Sequence, residues 1–336
     1  MAKIGVIGAG SWGLALSKLL VENGNDVTLW SFLESDAELI RTTHELSSKL
    51  PGVKLPEQIR VTSDLAEAVP GQDVLVMVSP SAVVRETAKK MRPFVSGGMV
   101  IVNAAKGIEE GSLMTMTDII VEEIPQANAA VISGPSHAEE VARSMPTTIV
   151  IGAKDEATAR MLQKLFMSPV FRVYISSDMI GIELGGSLKN VIALAAGIAD
   201  GMGYGDNAKA ALITRGIVEI SRLGMKMGGH FETFCGLTGI GDLIVTCASM
   251  HSRNRRAGIL LGQGYTMEEA MKEVNMVVEG VYSTKSAVAL ARKYGVELPI
   301  IEQVNKVLFE GKDPKEAVSA LMLRDMGVEN SLVPWN

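Results

Sequence analysis

"KIGVIGAGSWGLALSKLL", residues 3–20, is the stretch on which the fold turns. Its opening residues, Ile4 to Ile7, form a short β-branched run of the kind found in strands buried on both faces. Its closing part spaces Leu14, Leu16, Leu19 and Leu20 ahead of Asn23-Gly24, the pattern of a helix with a glycine stop. Between them Gly8, Gly10 and Gly13 have G-x-G-x-x-G spacing. Alone that spacing is weak evidence, because 34 of the 336 residues are glycine. In a strand–turn–helix setting at the first βαβ unit it predicts a dinucleotide site, with glycines for the tight turn, for the approach of a pyrophosphate and for close helix–strand packing. The free N–H groups at the helix start face the anion.

Working outward, "DVTLWS", "IRVT", "DVLVMVS", "MVIVNAAKG", "NAAVIS", "TTIVIGA" and "FRVYIS" read as further strands. Segments of helical spacing such as "SAVVRETAKKMRPF" and "SLMTMTDIIVEEI" lie between them. This alternation predicts an α/β, Rossmann-type, doubly wound and mostly parallel sheet with helices on both faces. After Ile175 the β-branched runs stop, and Ala, Leu, Ile and Gly recur at helical spacing. The expected division is a dinucleotide-binding domain over residues 1–178 and an all-α substrate-binding, catalytic domain over 179–336. "VIALAAGIADGM" is too short between Lys189 and Asp200 for the roughly 20 apolar residues of a membrane span, so it is expected to pack inside the helical domain.

Composition narrows the function. With 47% hydrophobic and 21% charged residues the chain reads as a folded globular protein. A net charge of −6 disfavours nucleic acid as a general partner. The two cysteines, Cys235 and Cys247, form no C-x-x-C pair, so neither a disulfide framework nor a metal site is expected. The first strand follows Met1-Ala2-Lys3 directly, which leaves no room for a signal peptide, and the expectation is a cytoplasmic protein without integral membrane association.

Three places carry residues suited to chemistry on a small anion. Lys189 sits in "GGSLKNVIALAAG", an otherwise apolar helix, where it is either a snorkelling side chain or a desolvated ammonium with a lowered pKa. Lys106 closes "MVIVNAAKG" at the carboxyl edge of the sheet, where open α/β folds bind ligands. "SGPSHAEEV" repeats that geometry with Gly134 and Ser136 at a strand end and Ala138 opening a helix; His137 there is as well explained by a local structural role. The densest polar cluster, "GIGDLIVTCASMHSRNRRAG", brings Asp242, Thr246, Ser252, Arg253, Asn254, Arg255 and Arg256 together, with His251 as a bystander. Ser-Arg-Asn-Arg-Arg at a helix start suits phosphate, the alternative being a solvated basic face.

"GAGSWG", "NAAKGIE", "SGPSHAEEVA", "ELGGSLKNVIALAAGI", "GLTGIGDLIVTC", "SRNRRAG" and "VVEGVYS", in this order and nearly end to end, resemble the NAD(P)-dependent glycerol-3-phosphate dehydrogenases of the bacterial biosynthetic type. The resemblance implies interconversion of dihydroxyacetone phosphate and sn-glycerol 3-phosphate, a glycerophospholipid precursor, with NAD(H) or NADP(H), and a homodimer. It implies Lys189 as general acid/base, with Lys106 and Asp242 beside it in catalysis. Lys106, Gly134, Ser136, Lys189, Asp242, Ser252, Arg253 and Asn254 would surround the substrate. Ser11, Trp12, Lys106, Ala138, Arg253, Val277 and Glu279 would contact the dinucleotide, beside Gly8, Gly10 and Gly13 of the turn; Phe32 is expected, apart from the resemblance, to cover the adenine face.

The chain departs from the family pattern after its second strand, where many members carry a basic residue suited to a 2′-phosphate. Ser31 and Phe32 stand there instead, with Glu34 and Arg41 farther on, so use of both cofactors is expected; Ser31 is expected to donate to either ribose substituent. Two other readings compete. A β-hydroxyacid dehydrogenase shares the architecture but does not demand so dense a phosphate site as "SRNRR". A non-catalytic dinucleotide sensor would have no use for Lys106, Lys189 and Asp242 together.

Overall fold

In the computed structural model residues 1–325 and Glu329 are described. All eight apolar runs are strands: β1 (Lys3–Ile7), β2 (Asp26–Trp30), β3 (Arg60–Thr62), β4 (Val74–Met77), β5 (Val100–Asn103), β6 (Asn128–Ser133), β7 (Thr147–Ala153) and β8 (Phe171–Ser176). They form one sheet in the order β3-β2-β1-β4-β5-β6-β7-β8. Neighbours pair in parallel except β6 with β7, which are antiparallel.

Continuous apolar strands belong in the middle of such a sheet because both faces are covered. In β4, Val74 and Val76 join the core on one face, while Leu75 and Met77 join the core on the other. The last strand, β8, alternates instead, with Phe171 and Val173 buried between exposed Arg172 and Tyr174, as suits an edge covered on one side. The helices of this half are α1 (Ser11–Glu22), α2 (Glu34–Thr43), α3 (Leu65–Ala68), α4 (Val84–Met91), α5 (Met116–Glu123), α6 (Ala138–Ala142) and α7 (Glu156–Phe166).

From Met179 onward the described chain is helical. Its elements are α8 (Met179–Gly201), α9 (Asp206–Lys226), α10 (Phe231–Phe234), α11 (Asp242–Ala248), α12 (Arg253–Gly262), α13 (Met267–Val274), α14 (Glu279–Tyr294), α15 (Pro299–Phe309) and α16 (Pro314–Met322). The expected domain end at residue 336 lies outside the described residues. Asp178 starts α8 by accepting the Gly181 N–H at 2.8 Å, and it also accepts from the His230 N–H at 2.9 Å and the Thr233 hydroxyl at 2.6 Å. One carboxylate thus caps the helix and ties its first turn to the approach to α10. Gly181 to Ala199 is buried all round, so α8 is the core helix of this half. It is long and apolar enough to cross a membrane, but its faces are filled by other helices.

Candidate active site

Because β1, β4, β5 and β6 are adjacent and parallel, the loops at their carboxyl ends open along one edge of the sheet. After β1 the chain turns at Gly8, whose φ of 131° favours glycine. A Cβ on Gly13 would lie 1.8 Å from the Gly8 carbonyl oxygen, so α1 rests directly on the turn. A Cβ on Gly10 would meet nothing within 4 Å, and Gly10 leaves the start of α1 without a side-chain cap. Bare N–H groups behind an open approach fit a pyrophosphate. The Ser11 hydroxyl donates to the Lys49 carbonyl at 2.6 Å, and Trp12 is half-buried beside it.

The two lysines singled out in the sequence meet at one carboxylate. Lys106, three residues beyond β5, donates from Nζ to Asp242 Oδ2 at 2.6 Å and to the Gly134 carbonyl at 3.1 Å. Lys189, in the middle of α8, donates to Asp242 Oδ1 at 2.6 Å and to Thr246 Oγ1 at 2.6 Å. Asp242 opens α11 immediately after a π-helical turn, Leu237–Gly241. That turn reaches α8 because Gly185 faces it without a side chain; a Cβ there would lie 2.5 Å from the Thr238 carbonyl oxygen. Thr246 is one helical turn beyond Asp242, hence on the same face. That i, i+4 spacing was the available signal for its part in the site.

Two ammoniums and one carboxylate leave a net positive charge in a dry setting, since Lys189 and Asp242 are both buried. Burial pushes Lys189 down to about 8; Asp242 opposes the fall and Lys106 adds to it. Burial raises Asp242, but the Lys106 and Lys189 ammoniums outweigh it and hold the carboxyl below its ordinary value. Neighbouring Cys247 is buried too, and its thiol is pushed up to about 12, so it stays protonated and inert.

The basic cluster is not a solvated face. Ser252 caps α12 by accepting the Arg255 N–H at 3.2 Å. Asn254 is buried, donating to Asn190 Oδ1 at 3.0 Å and accepting the Gly280 N–H at 2.8 Å, so it joins α12 to α8 and to the start of α14. The helices approach this closely because glycines face one another: a Cβ on Gly197 would lie 2.9 Å from the Gly258 Cα. Arg255 is committed to Asp200, Nε to Oδ2, at 2.8 Å. Arg253 is half-buried and, among the described residues, has no hydrogen-bond or ion-pair partner; burial disfavours its charged form. The Glu279 and Glu139 carboxylates favour its charge from a distance, and a desolvated guanidinium that none of the described residues hydrogen-bonds suits an incoming phosphate.

Toward the dinucleotide side, Glu279 at the start of α14 accepts the Ser81 N–H at 3.2 Å and is bonded by the Ser81 hydroxyl. Ser81 lies just past β4, so this contact joins the two halves. Val277 is half-buried two residues earlier, and Ala138 opens α6 as expected. Phe32 is 72% exposed with its ring edge-on to Trp30. Ser31 departs from expectation. It is 2% exposed and its hydroxyl donates to the Leu33 carbonyl at 3.0 Å, so its proton is already committed. Glu34 and Arg41 are likewise paired with each other. His137 precedes α6 without capping it; its Nε2 is buried and unpartnered, its ring lies 5.7 Å from that of His251, and burial followed by Lys189 lowers its pKa.

Comparison with known proteins agrees along the whole chain. Residues 3–159 match the family model for the NAD-dependent glycerol-3-phosphate dehydrogenase N-terminus, and residues 178–319 match that for its C-terminus. The chain is 62% identical to the glycerol-3-phosphate dehydrogenase [NAD(P)+] of Agathobacter rectalis, covering 100% of both chains. It is 50% identical to that of Bacillus subtilis, covering 96% of this chain and 95% of the relative. The crystal structure of a glycerol-3-phosphate dehydrogenase from Coxiella burnetii superposes with a TM-score of 0.93 at 39% identity, covering 96% of this chain and 99% of that one.

Proposed function

From the premise that this chain belongs to the NAD-dependent glycerol-3-phosphate dehydrogenase family, we propose the following roles for its residues. The reaction is the reversible, NAD(P)-linked reduction of dihydroxyacetone phosphate to sn-glycerol 3-phosphate, consistent with supply of glycerophospholipid backbones. The observation that carries the assignment is the Lys106–Asp242–Lys189 cluster, joined at 2.6 Å on either side of one carboxylate.

Gly8, Gly10, Gly13 and the start of α1 hold the cofactor pyrophosphate, with Ser11, Trp12, Phe32, Ala138, Val277 and Glu279 around the rest; the open Gly10 face fits that group. When bound, the nicotinamide supplies or accepts the hydride at substrate C2. As negative charge grows on the C2 oxygen, Lys189 Nζ delivers the proton, and in the reverse direction the neutral amine removes it. Lys106 stabilises the same oxygen through its fixed positive charge. Asp242 orients both lysines. Arg253, Asn254 and Ser252 hold the phosphate, while Gly134 and Ser136 line the carbon chain, so binding energy from a remote group serves the reacting centre. We further infer a cytoplasmic homodimer, which rests on the family resemblance.

Discrimination between dihydroxyacetone phosphate and dihydroxyacetone tests the phosphate site. Each lost charge-assisted contact costs about 1.5–3 kcal/mol, so kcat/KM falls by at least about 10² on the unphosphorylated ketone. Equal efficiency on both ketones removes Arg253 from the substrate.

Both NADH and NADPH are expected to serve. With Ser31 committed and Glu34 held by Arg41, no acid or base in the turn after β2 is free to read the ribose, and Lys90, whose Nζ lies 5.8 Å from the centre of the Phe32 ring, is among the described residues the one cation over that ring; the preference stays within about tenfold in kcat/KM. Phe32→Arg supplies a phosphate partner and shifts both the dissociation constant and kcat/KM toward NADPH, less so at high salt. A thousandfold preference in the wild type contradicts this reading.

A further inference from the structure

Glu183 is a buried carboxyl at the junction of the two halves that the proposed chemistry does not use. It lies in the second turn of α8, and all its partners come from the other half of the molecule. Its Oε1 accepts the Thr117 N–H at 2.9 Å and the Asn103 Nδ2–H at 3.2 Å, and its Oε2 is bonded by the Thr117 hydroxyl. Among the described residues it has no cationic partner. Burial therefore pushes it up to about 7 against the Thr117 hydrogen bonds, with Asp118 adding slightly to the rise.

Asn103 is the last residue of β5, and its amide clamps the next turn from both sides. Oδ1 accepts the Ala105 N–H at 3.0 Å, while Nδ2 donates to the Ala105 carbonyl at 3.0 Å as well as to Glu183. The residue after Ala105 is Lys106. One turn along α8 from Glu183, a Cβ on Gly186 would lie 3.6 Å from Lys106 Cγ and Cδ, so the same helix also borders the lysine stem. A further turn along is Lys189.

We propose that Glu183 is a positioning residue for Lys106: from α8 it holds Asn103 and thereby fixes the Ala105–Lys106 turn at the depth where Lys106 meets Asp242 and substrate. Helix α8 then sets both ammoniums, Lys189 directly and Lys106 through the Glu183–Asn103–Ala105 chain. The proposal rests on the role given to Lys106 above.

The test measures kcat, KM for dihydroxyacetone phosphate and NADH dissociation at pH 8, where the carboxylate form prevails. Glu183→Leu leaves the Asn103 and Thr117 donors unpaired and is expected to lower kcat about tenfold with NADH affinity unchanged. Glu183→Gln is expected to rescue, since its amide oxygen serves the same two donors and its NH₂ can donate to the Thr117 hydroxyl. Should Glu183→Leu fail to fold, Asn103→Ser opens the same chain from its other end. Glu219→Leu is the control. Glu219 is also buried, accepting the Ile300 and Ile301 N–H groups, and among the described residues no hydrogen bond joins its carboxyl to Asn103, Lys106 or Asp242, so its loss is expected to lower Tm and spare kcat.

The deciding measurement is a double-mutant cycle, because residues acting through one group do not add. In a Lys106→Ala background, Glu183→Leu is expected to cause no further loss of kcat. An equal fold-loss in that background overturns the proposal, as does a folded Glu183→Leu protein with wild-type kcat or a Gln variant as impaired as Leu. Full turnover by Lys106→Ala alone is a different failure, that of the role assigned to Lys106.

Discussion

Lys189→Ala lowers kcat for dihydroxyacetone phosphate by about 10² or more while leaving dinucleotide affinity nearly unchanged, because the side chain is assigned to proton transfer and not to the pyrophosphate. The wild-type pH profile carries the same assignment. Burial displaces Lys189 to about 8, so the ammonium that reduction requires is lost as pH rises through that value. Reduction therefore declines on the alkaline side. Oxidation of glycerol 3-phosphate requires the neutral amine and rises over the same interval. Steady-state rates in both directions, with dinucleotide binding followed by fluorescence, test this directly. A Lys189→Ala enzyme with near-normal kcat makes Lys189 a packed helix residue and leaves the cluster without an acid.

The sheet was legible because its chemistry is local and redundant. Every strand is a short β-branched run ended by a turn, and a strand buried on both faces needs no alternation to be recognised. The antiparallel pairing of β6 with β7 was not legible. Both runs are apolar in their middles, which does not mark direction, and direction depends on where α6 sends the chain, which is set by packing. In the helical half the existence of helices was plain from composition. Their arrangement rests on close contacts such as Gly197 with Gly258, which no periodicity displays.

Within the site, legibility follows the same division. Lys189 stood out because an ammonium in an apolar helix needs a reason, and "SRNRR" stood out as a dense phosphate receptor. That Lys106 and Lys189 would share Asp242 did not follow from spacing, since the three lie in different elements and meet only through the π-helical turn against Gly185. Ser31 was misjudged for a complementary reason: a serine at a strand end looks available in sequence, and only the fold shows its hydroxyl turned back on Leu33. Glu183 opens the quoted motif "ELGGSLKNVIALAAGI", but its place against the sheet is not legible there. An acid one or two turns into an apolar helix is as easily placed on a surface as against Thr117 and Asn103.

Asp242→Asn keeps the size of the side chain, removes its negative charge and leaves one oxygen to accept from the two lysines, and it is expected to lower ketone reduction at pH 8 by about 10². The sign follows from the forces on Lys189. Burial and the Lys106 ammonium both push its pKa down, and the Asp242 carboxylate is the chief opposing influence. Without it the value drops below about 8, by about 1–3 units for loss of an adjacent opposite charge. At pH 8 the amine is then neutral and cannot act as the acid. Acidification restores the ammonium, so the midpoint of the reduction profile moves to lower pH and part of the lost rate returns there. Stability falls as well, by about 3 kcal/mol, because two lysines lose a buried partner that each contacts at 2.6 Å. Initial rates between pH 5.5 and 9, set beside thermal unfolding of the same variant, separate the two consequences. A reduction profile whose plateau drops while its midpoint stays near 8 means that Asp242 only holds the lysines in place; a midpoint displaced toward acid means that its charge sets the proton affinity of Lys189.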